Sequence, residues 1–237
     1  MARMLLLVVL FCSFLTACTL PFSGSNSTAS SQLILQTPPA ARQLYVAIGA
    51  SDTYGQGTDD PRTESWPADL TTLLGNNTRL VNLGIPGIDA HDALNIELPV
   101  ALDAHPNLVT VWLAVNDLAD QVPLNRYEQD LDSLLGRLRH TLPASTRIVV
   151  ANVPDLSYLP HFQNQNHQHL EQQISAYNTV IATVVARYQV KLIDLYRLAN
   201  ALADHPEYIS DDGFHPNALG YTLLAQIFYQ ELQKSSS

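Results

Sequence analysis

Leu44-Tyr45-Val46-Ala47-Ile48-Gly49-Ala50-Ser51-Asp52-Thr53-Tyr54-Gly55 is the stretch that decides the fold. Its first seven residues run apolar without alternating. A strand buried on one face alternates, whereas one buried on both faces does not. The run stops at a serine, an acid and a glycine, which is how a strand turns into a helix. Four more short apolar runs follow: Leu80–Ile85, Leu108–Val115, Arg147–Val153 and Val190–Leu195. Helical periods separate them. Tyr127, Leu131, Leu134, Leu138 and Leu142 recur at three- and four-residue steps, as do Leu170, Ile174, Tyr177, Ile181, Val184 and Tyr188. A last helix carries Leu219, Leu223, Leu224, Ile227, Phe228 and Leu232. Strands alternating with helices require right-handed crossovers, so the fold is α/β with a parallel sheet covered on both faces. The pattern leaves strand order open.

Ligands of such sheets bind beyond the carboxyl ends of the strands. Ser51-Asp52 stands after the first run, Pro86-Gly87 after the second, and Asn116-Asp117 after the third. Asp212-Gly213-Phe214-His215 immediately precedes the last helix. A serine nucleophile needs a base, a group that orients the base, and donors for the oxyanion. Ser51 is exposed by a strand-to-helix turn, although a serine there is also an ordinary helix cap. Asp212 and His215 are spaced so that the carboxylate reaches one ring nitrogen while the other faces a serine. They also suit an acid cap beside a surface histidine. Pro216 suits the first helical position. Asn116, closing the third strand, offers a side-chain donor, but Asn-Asp is also a turn pair. Asp117 is expected to hold neighbouring backbone. Gly87 lets a backbone N–H approach a ligand, or simply completes a Pro-Gly turn.

In order and placement these residues resemble the SGNH, or GDSL-type, hydrolase superfamily, from Leu44 to the last helix. Its four signature residues correspond to Ser51, Gly87, Asn116 and His215, with Asp212 completing the triad. The resemblance implies a flavodoxin-like α/β/α sandwich of three layers with a five-stranded parallel sheet in the order 2-1-3-4-5. It also implies hydrolysis of carboxylic esters or thioesters without a metal or cofactor. The oxyanion donors would be Ser51, Gly87 and Asn116. Two departures stand out. The usual Gly-Asp-Ser is Gly49-Ala50-Ser51 here, with an acid after the serine at Asp52. The usual glycine two residues before the asparagine is Ala114.

The amino terminus addresses the chain. Arg3, the apolar run Met4–Leu15 and then Leu15-Thr16-Ala17-Cys18 look like a bacterial lipoprotein signal, with Cys18 lipidated. A plain secretory signal cut near Ala17 is the alternative; both place the protein outside the cytoplasm. Residues 19–43, rich in Ser, Thr, Pro and Ala, read as a tether, and residues 44–237 as the domain. Cys18 would be the only cysteine left after cleavage, which excludes a disulfide framework. The chain has 237 residues and a formal charge of −10. That length suits one domain. The acidity argues against a nucleic-acid partner, because phosphate binding needs a basic footprint. The expected partners are an ester substrate and, through the anchor, a membrane.

His161, His167 and His169 sit between the fourth strand and the next helix, as a polar loop able to cap a pocket. A metal site there is the minor alternative. Asp204-His205 and His91-Asp92 lack placement after a strand and are expected at helix ends. Two other functions stay open: a silent envelope glycan- or lipid-binding module of the same fold, and a nucleotide or flavin binder. The second lacks a Gly-rich phosphate loop. No extended apolar lid is evident, which leans towards short acyl chains.

Overall fold

The computed structural model describes residues 43–198 and 205–234. The signal segment, Cys18, the tether up to residue 42, and Asp204 lie outside them. Five strands form one parallel sheet in the order β2-β1-β3-β4-β5. They are β1 (Gln43–Gly49), β2 (Thr78–Asn82), β3 (Leu108–Trp112), β4 (Arg147–Ala151) and β5 (Lys191–Ile193). The first strand begins at Gln43, one residue inside the segment read as a tether. The register pairs Gly49 with Trp112 and Ala47 with Asn82, so the carboxyl ends of β1, β2 and β3 lie side by side.

Helices cover both faces. α1 (Ser51–Tyr54), α2 (Pro61–Glu64) and α3 (Trp66–Leu74) follow β1. α4 (Ala90–Asp103) follows β2, and α5 (Val115–Ala119) and α6 (Leu124–Thr141) follow β3. α7 (His167–Arg187), α8 (Leu195–Leu198) and α9 (Ala218–Gln233) complete the chain order. Successive β1 residues point to opposite faces. Val46 and Ile48 pack with Ala93 and Leu98 of α4, Leu131 and Leu134 of α6, and Ile181 of α7. Tyr45 and Ala47 pack with Leu70 of α3 and Leu224 and Phe228 of α9. On that second face Trp66 stacks on Phe228 at 4.1 Å between ring centroids. Both cores are closed, which is why β1 carries an uninterrupted apolar sequence.

The strands end earlier than the apolar runs. Residues 83–85 and 113–115 lie beyond the strands, although the N–H groups of Leu83 and Ile85 still donate to the Ala47 and Gly49 carbonyls of β1. Ala114 takes φ 108°, a conformation that favours glycine and strains an L side chain. The family's usual glycine is thus replaced, but the backbone that needs it is kept. Asn116 consequently lies in α5, not at the end of β3. Likewise α9 begins at Ala218, with Asn217 as its cap accepting from the N–H groups of Leu219 and Gly220. Pro216 precedes the helix and bridges to Ile209.

Candidate active site

Ser51 opens α1 directly after β1 and is buried. As a first helical residue its N–H has no acceptor within the helix, so it remains available to a ligand. His215 arrives from the opposite end of the chain, on the loop ahead of α9. Its Nε2 lies 2.9 Å from Ser51 Oγ, and its Nδ1 lies 2.6 Å from Asp212 Oδ2. With Nδ1–H donating to the ionised Asp212, Nε2 is left to accept the serine proton. That tautomer follows from the hydrogen-bond network.

The loop is built to hold this geometry. Asp212 Oδ1 accepts from the N–H of Phe214 (2.8 Å), the N–H of His215 (2.9 Å) and the hydroxyl of Ser210 (2.8 Å). Ser210 N–H donates to the His215 carbonyl at 2.8 Å. Partial burial raises the Asp212 pKa. The bonds from the His215 side chain, the two backbone N–H groups and Ser210 outweigh it and hold the carboxyl well below its usual range. The two halves of the site are also tied together, because Tyr221 of α9 donates to the Gln56 carbonyl at 2.7 Å.

Beyond β2, Ile85 N–H donates to the Gly49 carbonyl and brings the following loop alongside the serine turn. Gly87 takes φ 82°, where a side chain would be strained, and a Cβ there would meet open space. Asn116 Nδ2 donates to the Ile88 carbonyl at 2.7 Å. That bond uses one of the two amide hydrogens and leaves the other for a ligand. Asp117 is buried and accepts from Ala90 N–H at 3.1 Å, holding the start of α4. Burial pushes its pKa up to about 7, with the Ala90 bond opposing.

Two supporting residues escaped the sequence reading. Asn82 donates to the Thr53 carbonyl at 2.7 Å and accepts from Gly84 N–H at 3.0 Å, stitching the Gly87 loop to α1. Its only sequence signal is an asparagine at a strand end. Glu97, 1% exposed on α4, accepts from Gly49 N–H at 3.3 Å, two residues before the serine. Burial raises its pKa to about 8. Nothing in its local sequence marks it.

His161 packs against Phe162 and Phe214, and its N–H donates to the Gly213 carbonyl at 3.0 Å. It thereby docks the post-β4 loop onto the Asp212 loop. His167 and His169 start α7, capped by Asn166. His91 pairs with Asp130, and His205 with Glu207. Among the described residues no group of three His, Cys, Asp or Glu side chains is placed to hold a metal. Beside the relay opens a narrow cleft of about 50 Å³. Its walls include Asp52, Trp112, Leu156, Tyr158, Phe214 and Leu224.

The model of the GDSL-like lipase/acylhydrolase family matches residues 47–223. An acetylxylan esterase of Xylanibacter ruminicola is 27% identical over 81% of this chain and 44% of its own length. A multidomain esterase of Ruminococcus flavefaciens is 26% identical over 54% of this chain and 16% of its own. The chain thus spans less than half the length of these two relatives. An arylesterase of Vibrio mimicus is 24% identical over 84% of this chain and 93% of its own. Among solved structures, an enzyme from the metagenome of Lake Arreo superposes with a TM-score of 0.66 at 22% identity, covering 84% of this chain and 98% of that one. An acetylxylan esterase from Geobacillus stearothermophilus gives 0.64 at 20% identity, covering 83% and 96%. At such identities the two structures establish the fold alone, including its five-stranded parallel sheet.

Proposed function

The chain belongs to the GDSL-like lipase/acylhydrolase family, and from that premise we propose that it is a serine ester hydrolase working through an acyl-enzyme on Ser51. The observation that carries this is the unbroken relay from Asp212 through His215 to the Ser51 hydroxyl, at 2.6 and 2.9 Å. His215 Nε2 takes the hydroxyl proton as Ser51 Oγ attacks the ester carbonyl. Negative charge then develops on the carbonyl oxygen. The N–H groups of Ser51 and Gly87 and the spare amide hydrogen of Asn116 are the donors that would meet it. Asp212 stabilises the imidazolium. His215 returns the proton to the departing alcohol, and a water repeats the sequence to release the acid. Every step is carried by protein groups, so none requires a metal.

The narrowness of the cleft supports short acyl groups, and the names of the relatives support acetylated sugars and aryl esters as first substrates to try. Thioesters and lysophospholipids follow from the resemblance more weakly. Purified protein lacking residues 1–18 should hydrolyse p-nitrophenyl acetate and propionate; failure on every short ester would refute the proposal. For location, the segment ending at Cys18 supports a lipid-anchored protein of the cell envelope. Cys18→Ala should then move the protein from the membrane to the soluble extracytoplasmic fraction. Identical partitioning of mutant and parent would remove the anchor.

A further inference from the structure

The relay joins two segments far apart in the chain: the turn 51–57, which carries Ser51, and the loop 208–217, which carries His215. Among the described residues no backbone hydrogen bond links the two. Apart from the relay bond itself, the hydrogen bond between the two halves comes from the first turn of α9, where the Tyr221 hydroxyl donates to the Gln56 carbonyl at 2.7 Å. The turn is closed on its own serine, because the Ser51 carbonyl accepts from the N–H groups of Gly55 and Gln56, both at 3.0 Å. Gly57 comes next, exposed and at φ 97°. A Cβ on Gly57 would stand 2.5 Å from the Pro216 carbonyl oxygen, 3.0 Å from Ser210 Oγ and 3.1 Å from His215 Cβ. His215 Cβ carries the imidazole, and Ser210 Oγ donates to Asp212. The backbone of the nucleophile turn therefore lies directly against the loop that holds the base and the acid.

With the ester-hydrolase function proposed above as its basis, we infer that Gly57 and Tyr221 are positioning residues of the relay: the bare Cα of Gly57 sets how closely the serine turn approaches the histidine loop, Tyr221 pins that approach, and together they fix Ser51 Oγ within reach of His215 Nε2. Three features favour this reading over a general part in folding. Gly57 is exposed, so it adds nothing to either apolar core, and elsewhere on such a surface a methyl group would meet water. The atoms that exclude its side chain belong to the His215 loop and not to the sheet or a covering helix. One of them is a backbone carbonyl, which cannot swing aside as the end of a flexible side chain can, so a side chain here has to displace the loop itself. Tyr221 acts on the neighbouring peptide from the helix that directly follows His215, and it bonds the carbonyl of the residue before Gly57.

Three variants separate positioning from folding. Gly57→Ala adds a methyl where the catalytic loop stands. Gly75→Ala adds the same methyl at φ 102° with nothing within 4 Å of it, so it reproduces the backbone strain alone. Tyr221→Phe removes the pin and adds no bulk. For each, kcat and KM are measured with p-nitrophenyl acetate, kcat/KM also with ethyl acetate, and the melting temperature on the same preparation. Gly57→Ala should lower kcat by roughly 10–100-fold with KM within about threefold, as expected when reacting groups are misplaced by about 1 Å. Tyr221→Phe should lower kcat by roughly three- to tenfold, the scale of one hydrogen bond. In both variants kcat/KM should fall further for ethyl acetate than for p-nitrophenyl acetate, because the ethyl alcohol departs only with a proton from His215, whereas p-nitrophenolate leaves without one. A smaller folded fraction would depress both esters equally. Gly75→Ala should melt earlier and keep the parent kcat per folded molecule. A parental kcat in Gly57→Ala, or an equal loss in Gly75→Ala, would overturn the inference and leave the ester-hydrolase function standing. So would a loss carried by KM, or one shared equally by the two esters. If Gly57→Ala does not fold, Tyr221→Phe decides by the same comparison of esters. If the parent hydrolyses no ester, the function and this inference fall together.

Discussion

Two carboxylates at the carboxyl edge of the sheet, Asp212 and Asp117, are placed in opposite ways. Asp212 is half-exposed on the loop before α9 and is surrounded by donors: His215 Nδ1, two backbone N–H groups and Ser210. Asp117 is sealed inside the turn after β3, where the Ala90 N–H is its hydrogen-bonding partner. Burial dominates in one and donors in the other, so their pKa values move apart. The difference teaches what each region is for. A carboxylate that must face a transient imidazolium has to stay ionised, and donors secure that. One that fastens the start of a helix needs only an acceptor oxygen, which the protonated form also supplies.

Mutations at these two residues should therefore behave differently. Asp212→Asn should reduce kcat by roughly 10³–10⁴, because the imidazole loses its tautomer and its counter-charge. Circular dichroism should show the variant folded. A kcat within tenfold of the parent would erase the contrast between the two acids.

Asn116 sharpens the comparison from the Asp117 side, since it shares the same short helix yet is assigned to the oxyanion. Asn116→Ala should lower kcat by roughly 10²–10³ with KM little changed. Its bond to the Ile88 carbonyl gives a competing structural role. If that bond is all Asn116 provides, the variant will melt earlier but keep near-normal kcat per folded molecule.

The smallest effect on activity belongs to Asp117→Asn, with kcat within a few-fold of the parent. Its signature is in stability against pH. The folded-state pKa of Asp117, about 7, lies above the ordinary value near 4, so the folded state holds the proton more tightly. The stability this provides is complete below about pH 4 and is lost as pH rises through about 7. Glu97, also raised, acts in the same direction. The difference between parent and Asp117→Asn isolates the aspartate, and should be on the order of 2–4 kcal/mol between pH 4 and 8. Parallel denaturation curves across that range would show that Asp117 is not the buried, protonated group described.

Much of this architecture is legible in the sequence. The doubly buried strands announce themselves as short continuous apolar runs, and the chemistry clusters where those runs stop. Strand ends are less legible, because hydrophobicity reports burial and not ladder membership. Leu113 and Val115 stay apolar while the backbone turns out of the sheet at Ala114 and into α5. α4 is obscured by Pro99 and by polar residues on its solvent side, and Glu97, buried against the Gly49 N–H, is hidden with it. Strand order came from the family resemblance alone. The Asn116–Ile88 bond depends on two loops meeting in space, and no local pattern encodes it.

The central claim is that Ser51 is the one nucleophile activated by His215. Its most direct test is intact-mass spectrometry after exposure to a fluorophosphonate, with peptide mapping of the product. The parent should gain a single adduct located on Ser51, and Ser51→Ala should gain none and lose ester turnover. An adduct on another serine, or a Ser51→Ala variant that still hydrolyses esters at the parent rate, would contradict it.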